Sequence, residues 1–299
     1  MTRRSWFEEI GARLQAGAPL SESEIAALSG TRDLVRLGAL ADERRRTLRG
    51  DRATFVRVAE VPAGGAGSAA LPRHAGELRL TGRPASASLA VEAVRAAARA
   101  AGDVPVSGFA LDELVDVCGR DAARFDDLVA ALRAEGLACI VEARVERTTD
   151  PAWVVRAAAA GVPVACWTVG DPAASGGAAL RRVAGWGSDV PVRVFAPLPR
   201  VVAGRPSTGY EDVRQVALAR LLVDNSHSIQ VDWRRYGPQL AQVALTFGAD
   251  DVDGVSPNDA REHGPRRGPL EEITRNIRAA GLVPVERDGR FQTLCTHDQ

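Results

Sequence analysis

From Thr54 to Ser256 the chain alternates short β-type runs with helical runs, and this rhythm leaves few folds open to it. Thr54–Val61 is the first β-type run. "GELRLTG" then precedes "SASLAVEAVRAAARAAG", and "VPVSGFA" precedes "DAARFDDLVAALRAEG". "LACIVEARV" precedes "DPAWVVRAAAAG", "VPVACWTVG" precedes "GAALRRVAGWG", and "VPVRVFAPL" precedes "GYEDVRQVALARLLVDN". "SHSIQVDW" precedes "YGPQLAQVALTFGAD", and "DVDGVS" is the eighth β-type run. Within the helical runs apolar residues recur at helical spacing, with Asp121 and Asp150 as N-caps and Gly136 and Gly161 as stops. Regular alternation of this kind implies parallel strands joined by right-handed crossovers, and eight units close a (β/α)8 TIM-type barrel of class α/β. An open doubly wound sheet is the alternative, and the lack of a GxGxxG turn after any early run weighs against it. Residues 1–50 read as an N-terminal helical extension, with Ser21 and Glu24 in capping-box spacing. Residues 51–260 read as the barrel, and residues 261–299 as a C-terminal helix and tail packed on it.

One crossover breaks the rhythm. The linker Pro62–Gly76 has 15 residues, enough for a short crossover, but its Gly-Gly-Ala-Gly core is a poor helix former. The expected barrel is therefore incomplete, without its first crossover helix. Apolar strand surface would then need cover from the N-terminal helices, a partner subunit or the linker itself.

Composition narrows the function classes. Of 299 residues 45% are hydrophobic and 25% charged, which suits a soluble globular chain whose core needs no disulfide. The 38 basic and 38 acidic side chains balance, which argues against a polyanion-binding surface, so no nucleic-acid partner is expected. Every basic residue is Arg. No apolar run has membrane-span length and the start "MTRRSWFEEIGARL" lacks a signal-type core, so no membrane role and a cytoplasmic location are expected. The four cysteines, Cys118, Cys139, Cys166 and Cys295, form no CxxC pair, and the apolar settings "LACIV" and "VACWTV" suit buried thiols.

The segments "ALARLLVDNSHSIQVDWRRYGPQLAQVALTFGADDVDGVS" and "IRAAGLVPVERDGRF" resemble aminofutalosine synthase, a radical S-adenosylmethionine enzyme of the futalosine route to menaquinone. The related dehypoxanthine futalosine cyclase shares much of this pattern. The stretch from Leu14 to Val56 is similar to the same family, and the middle of the chain follows more faintly through "VPVSGFALDELV", "AAAAGVPVACWTVGD" and "VFAPLP". The resemblance implies a CxxxCxxC loop after the first strand, whose thiolates would hold a [4Fe–4S] cluster that binds S-adenosylmethionine. Here "PAGGAGSAALPRHA" stands in place of that loop and the helix after it. The family's Gly-rich "GGGAE" aligns with "IVEARVE", where Val, Ala and Arg fill space a ligand would use. Glu146 stands at the family's acidic position. "DNxPHI" reads "DNSHSI", so Asp224 and Asn225 match while Ser228 replaces the family's His, and His227 is displaced by one residue.

Two functions follow as expectations. One is a cluster-less, non-catalytic partner or regulatory subunit in menaquinone synthesis, with no cofactor. It would meet an intact radical paralogue, or another copy of itself, through the open barrel flank. The other is a barrel repurposed as a non-radical enzyme or a binder of nucleoside-like molecules, with Glu113, Glu142, Glu146, Asp224, Asn225, Ser228, Asp250, Asp251 and Asp253 as candidate pocket residues. "ADDVDG" also suits a turn with an N-cap cluster, and Asn225 a helix C-cap. His74 and His263 read as solvent-exposed loop residues. Arg44–Arg46 reads as a solvated helix face, Gly64–Gly67 as a flexible linker, and Trp153, Trp167 and Trp186 as packing residues.

Overall fold

Each β-type run is rich in Val, Ile, Leu and aromatic residues, and each becomes a strand because parallel strands covered on both faces need apolar side chains on both. The structure is a computed structural model that describes residues 3–18, 20–65, 70–170, 177–187, 189–199, 208–223, 228–258 and 269–297. Three helices come first: α1 (Arg3–Gln15), α2 (Glu22–Gly30) and α3 (Leu34–Arg49). The barrel then runs β1 (Arg52–Pro62), β2 (Glu77–Thr81), α4 (Ala87–Ala101), β3 (Val106–Ala110), α5 (Leu111–Val117), α6 (Ala122–Ala134) and β4 (Leu137–Arg144). It continues through α7 (Ala152–Ala159), β5 (Val164–Val169), α8 (Ala178–Trp186), β6 (Val194–Pro197), α9 (Tyr210–Leu222) and β7 (Ser228–Asp232). After α10 (Trp233–Tyr236), α11 (Pro238–Leu245) and β8 (Asp251–Val255) come α12 (Pro269–Ala279), β9 (Val283–Arg287) and β10 (Thr293–Thr296).

Strands β1 to β8 pair in sequence order, all parallel, and β1 also pairs with β8, so the cylinder closes. The expected eight-stranded barrel is therefore present. The segment after α12 adds two strands beyond the eight β-type runs. The first half of β1, from Arg52 to Phe55, pairs in parallel with β9, and its second half, from Val58, pairs with β2. β10 returns antiparallel along β9. Local signals act much as expected. The Ser21–Glu24 capping box forms, and Asp121 caps α6. Pro151 rather than Asp150 is the N-cap of α7, while the Asp150 carboxylate accepts from Ala152 N at 2.9 Å. Trp167 packs on Trp186 with ring centroids 4.5 Å apart, and Trp153 meets Phe125 edge-on.

Between β1 and β2 the described residues hold only a 3-10 turn at Ala63–Gly65, and no α-helix. The barrel is thus incomplete in its helical ring and closed in its strands. The linker itself covers much of the exposed flank. Ala75 N donates to Pro72 O and Gly76 N donates to Arg57 O at 2.9 Å, folding the linker back over the strands. Val58, Val61 and Leu78 are accordingly buried. A groove of about 350 Å³ remains there, bordered by Val61, Leu71, Pro72, Arg234 and Ser256–Asn258. One expectation is corrected in the N-terminal helices. Arg45 is fully buried, not part of a solvated face, because its guanidinium donates to Asp42 Oδ1 and to Gly50 O at 2.8 Å. His74 is exposed, as expected, and His263 lies outside the described residues.

Candidate functional site

A cavity of about 310 Å³ opens at the C-terminal ends of the barrel strands, at the lower end of the size range for small-molecule sites. Its floor is built from charges placed at alternate positions of β2, β8 and β9, the spacing that puts side chains on one face of a strand. Arg79 donates to both oxygens of Asp253, at 2.6 and 2.8 Å, and through Nε to Glu77 at 2.8 Å. Arg287 donates to both oxygens of Asp251, each at 2.7 Å. Asp251 also accepts from Gln230 Nε2 at 2.6 Å and from the Thr54 hydroxyl, and Glu77 accepts from the Ser107 hydroxyl. Two guanidiniums therefore face three carboxylates in a largely buried region, and bidentate geometry fixes the Arg79–Asp253 and Arg287–Asp251 pairs. Burial alone would raise the Asp253 carboxyl, but Arg79, helped by Arg287 and the Gly254 amide, outweighs burial and holds it below the usual carboxylate range.

The turn between β9 and β10 completes the floor. Gly289 sits where a Cβ would lie 2.8 Å from Glu77 Cγ, so only glycine lets the turn approach β2 this closely. Phe291 lines the cavity and stacks under the Arg287 guanidinium, 4.0 Å from ring centroid to Cζ. Phe291 has φ +64°, and Phe109, which also lines the cavity, has φ +62°. Bulky residues avoid this left-handed region, at a cost of about 1–3 kcal/mol, and such strain concentrates at functional sites.

The walls also carry Leu80, Val141 and Leu198 beside polar groups. Glu142 Oε2 accepts from Thr168 Oγ1 at 2.9 Å, while its Oε1 lies 3.9 Å from Arg144 Nε, beyond hydrogen-bond range. Asp232 caps α10 by accepting from Arg234 N and Arg235 N, both at 2.9 Å, and burial pushes its carboxyl up. Glu60 and Glu113 stand at the rim, with Glu113 accepting from Arg144 at 2.8 Å. Arg144 also reaches Asp112 at 2.8 Å, so its side chain crosses from β4 to α5. The upper cavity is thus rich in acceptors.

The sequence candidates separate clearly. Glu113, Glu142 and Asp253 line the cavity, and Asp251 holds its floor through Arg287. Glu146 lies outside the lining and accepts from Gly170 N at 2.7 Å. Ser228 opens β7, at the end of the barrel away from the mouth. Asp250 precedes β8 and ties the same end together, accepting from Ile229 N at 2.8 Å and from the Arg220 guanidinium. Asp224 and Asn225 lie outside the described residues. The turn reading of "ADDVDG" is corrected: Asp251–Val255 is a strand, and its aspartates are inward-facing halves of ion pairs. Residues not named from the sequence include Glu77, Arg79, Thr168, Gln230, Asp232, Arg287 and Phe291. The signal for Glu77, Arg79 and Arg287 was charge within the otherwise apolar strand runs "GELRL" and "VPVER", since a charge on a barrel strand must find a partner inside.

Cys139 and Cys166 line the cavity from the adjacent strands β4 and β5. Burial pushes the Cys139 thiol up to about 12 and Cys166 well above its ordinary value, so both are thiols at neutral pH. Cys118 follows α5 and is buried, while Cys295 is exposed in β10.

Residues 198–298 match the family described as the CofH/MqnC C-terminal region. This stretch supplies α9 through β10, and with them Gln230, Asp232, Asp251, Asp253, Arg287 and Phe291. The chain is similar to an aminodeoxyfutalosine synthase of Streptomyces coelicolor, 40% identical over 94 residues, which are 29% of this chain and 24% of that protein. It is similar to the aminodeoxyfutalosine synthase of Thermus thermophilus, 37% identical over 98 residues, 31% of this chain and 26% of that protein. The matched stretch therefore spans about a quarter of each relative. A crystal structure of methylornithine synthase superposes with a TM-score of 0.67 at 14% identity, covering 94% of this chain and 97% of that one, which shows a shared fold. The C-terminal third is CofH/MqnC-like, and the whole is a closed eight-stranded parallel barrel that shares its fold with that structure. No helix among the described residues is long and apolar enough to cross a membrane.

Proposed function

We propose that this chain is a relative of aminodeoxyfutalosine synthase without cluster chemistry, whose barrel cavity binds a polar, nucleoside-like small molecule. The observation that supports it most directly is the cavity itself. An ion-paired floor, two strained phenylalanines and an acceptor-rich mouth form a site sized for one small ligand. Phe109 and Phe291 offer flat apolar contact for a base. Glu142 and Asp232 offer acceptors for hydroxyl or amine donors. The residues present do not fit a [4Fe–4S] cluster on the β1 loop. No cysteine occurs between Val61 and Gly76, and the two cavity thiols lie in strands and stay protonated. Val, Ala and Arg also stand where the resemblance expects glycines beside bound S-adenosylmethionine, and Arg144 among them is tied to Asp112 and Glu113.

Calorimetric titration with a panel of purine nucleosides tests the reading. At least one nucleoside should bind, and Glu142→Gln, which keeps an acceptor for Thr168, should weaken binding about tenfold. A panel without binding, or unchanged affinity in Glu142→Gln, would refute the binding role. Stoichiometric [4Fe–4S] after anaerobic reconstitution would refute the loss of cluster chemistry.

A second reading, an accessory subunit of an intact radical paralogue in menaquinone synthesis, is favoured by the groove left beside β1 and the linker. Co-purification of such an enzyme, lost when Leu71→Glu places a charge in the groove, would support it. Wild-type protein purifying alone would count against it.

A further inference from the structure

A second constellation lies on the other face of the C-terminal hairpin. Along β9, Arg287 turns into the barrel and its neighbour Glu286 turns the opposite way. There Glu286 meets Cys295, its direct partner in the β9–β10 register, and His297 one residue beyond β10. We propose that Glu286, Cys295 and His297 form a binding site for one divalent metal ion, zinc in first place.

Convergence is the first argument. Cys295 Sγ lies 3.2 Å from His297 Nε2, His297 Nε2 lies 3.4 Å from Glu286 Oε2, and Cys295 Sγ lies 3.6 Å from the same oxygen. Zinc bonds of about 2.3 Å to sulfur, about 2.0 Å to imidazole nitrogen and about 2.1 Å to oxygen, at tetrahedral angles, separate these atoms by about 3.5, 3.3 and 3.6 Å in the same order. The three atoms already stand close to the corners of one tetrahedral face. A proton relay would be built differently. It needs the two ring nitrogens of the histidine to meet different partners, whereas here thiol and carboxylate both address Nε2.

The second argument is preorganisation. Glu286 is 3% exposed, and its other oxygen accepts from Arg57 Nε at 2.6 Å, which aims Oε2 at the site. An outer hydrogen bond of this kind orients a ligating carboxylate. Backbone hydrogen bonds fix the other two ligands: Cys295 belongs to the paired strand, and His297 N donates to Pro284 O at 3.0 Å. The imidazole also packs 5.8 Å from the Phe55 ring. Cys295 is exposed, so the fourth coordination position faces solvent and a water would complete it. Thiolate, imidazole and carboxylate together suit zinc above the hard cations. Bound there, the ion ties β10 to β9 and, through Arg57, to β1. It thereby secures the hairpin whose turn carries Phe291 and Gly289 into the cavity floor.

The full-length chain, stripped with a chelator, is titrated with zinc against a chromophoric competitor and with cobalt as a spectroscopic probe. About one equivalent should bind, and cobalt should give an intense thiolate-to-metal absorption. Cys295→Ser should abolish that band, and both it and His297→Gln should weaken zinc binding more than about 100-fold. Cys118→Ser should leave binding unchanged. Circular dichroism of the variants separates a lost ligand from a lost fold, and the exposed position of Cys295 makes its replacement easy to tolerate. A cobalt spectrum without thiolate character, or zinc affinity equal in wild type and both ligand variants, would reduce the cluster to hydrogen bonds and overturn the proposal.

Discussion

Replacing Arg287 by Met tests the claim that the cavity floor is held by paired charges rather than by packing. Arg287 is 3% exposed, and its guanidinium supplies two of the hydrogen bonds to Asp251, each at 2.7 Å. Met is apolar and similarly long, so the volume is largely kept while the cation is lost. Asp251 is fully buried and would retain only Gln230 and Thr54 as donors. Leaving one member of a buried pair uncompensated costs about 3–5 kcal/mol. A chain of 299 residues unfolds with an entropy near 0.6 kcal/mol/K, so the melting temperature should fall by about 5–8 °C. Adding Asp251→Leu to Arg287→Met should recover much of this loss, because two apolar residues no longer strand a charge. Thermal denaturation of wild type, both single variants and the double variant completes the cycle. A single-variant loss under about 1 kcal/mol, or a double variant less stable than Arg287→Met alone, would refute the reasoning.

Two further outcomes follow from the same cavity. Asp253 is held below the usual carboxylate range by Arg79, so its contribution is fully present above the unfolded-state value near 3.8 and is lost as pH falls through the lower folded value. Arg79→Gln should therefore lower stability at pH 7 and flatten its decline below about pH 4, as followed by urea unfolding across pH. Cys139, pushed from 9.0 to about 12, should carry about 1,000-fold less thiolate than a free thiol and resist alkylation with Cys166 at pH 8. Mass spectrometry after brief iodoacetamide treatment should find Cys295 labelled, and early labelling of Cys139 would contradict its burial.

The barrel was legible because its signal is global: alternating periods survive local irregularities, and the missing helix showed as glycine where helix formers were needed. Burial of most thiols followed from apolar neighbours, yet nothing in "LACIV" or "VACWTV" says which strand face each sulfur takes. Cys139 and Cys166 in fact face the cavity. Polar residues were harder. Asp251 and Asp253 attract notice as a loop-like cluster because their partners are remote in sequence: Arg287 is 36 positions from Asp251, and Arg79 is 174 from Asp253. Only barrel closure brings them together. Arg45 was misjudged for a related reason, since a run of three arginines hides the one that turns inward to Asp42 and Gly50. The expectation of no metal site, which rests on the lack of a Cys/His cluster with ligand spacing, does not reach the Glu286, Cys295 and His297 cluster, because Glu286 joins the other two only across the strands of an unexpected hairpin.

Losing the first crossover without losing the barrel has a physical explanation in how the flank is held. The second half of β1 pairs with β2 from Val58↔Glu77 to Pro62↔Thr81, and these backbone hydrogen bonds do not depend on what joins the strands. The helix would mainly have covered apolar side chains, and the linker, folded back at Gly76, buries Val58 and Leu78 in its place. Below that point Gly76 O accepts from Gly289 N at 3.0 Å, so the start of β2 is also held by the C-terminal hairpin. The charges that build the floor sit on β2, β8 and β9, not on the segment that joins β1 to β2. Chemistry supplied by a loop above the strands is therefore separable from binding supplied by the strands themselves, the general division in barrels whose sites lie at the strand ends. On this view the cavity does not need a helix in the first crossover to keep its shape. It needs the hairpin, and any ion or mutation that moves β9 and β10 should register in ligand affinity before it registers in the fold.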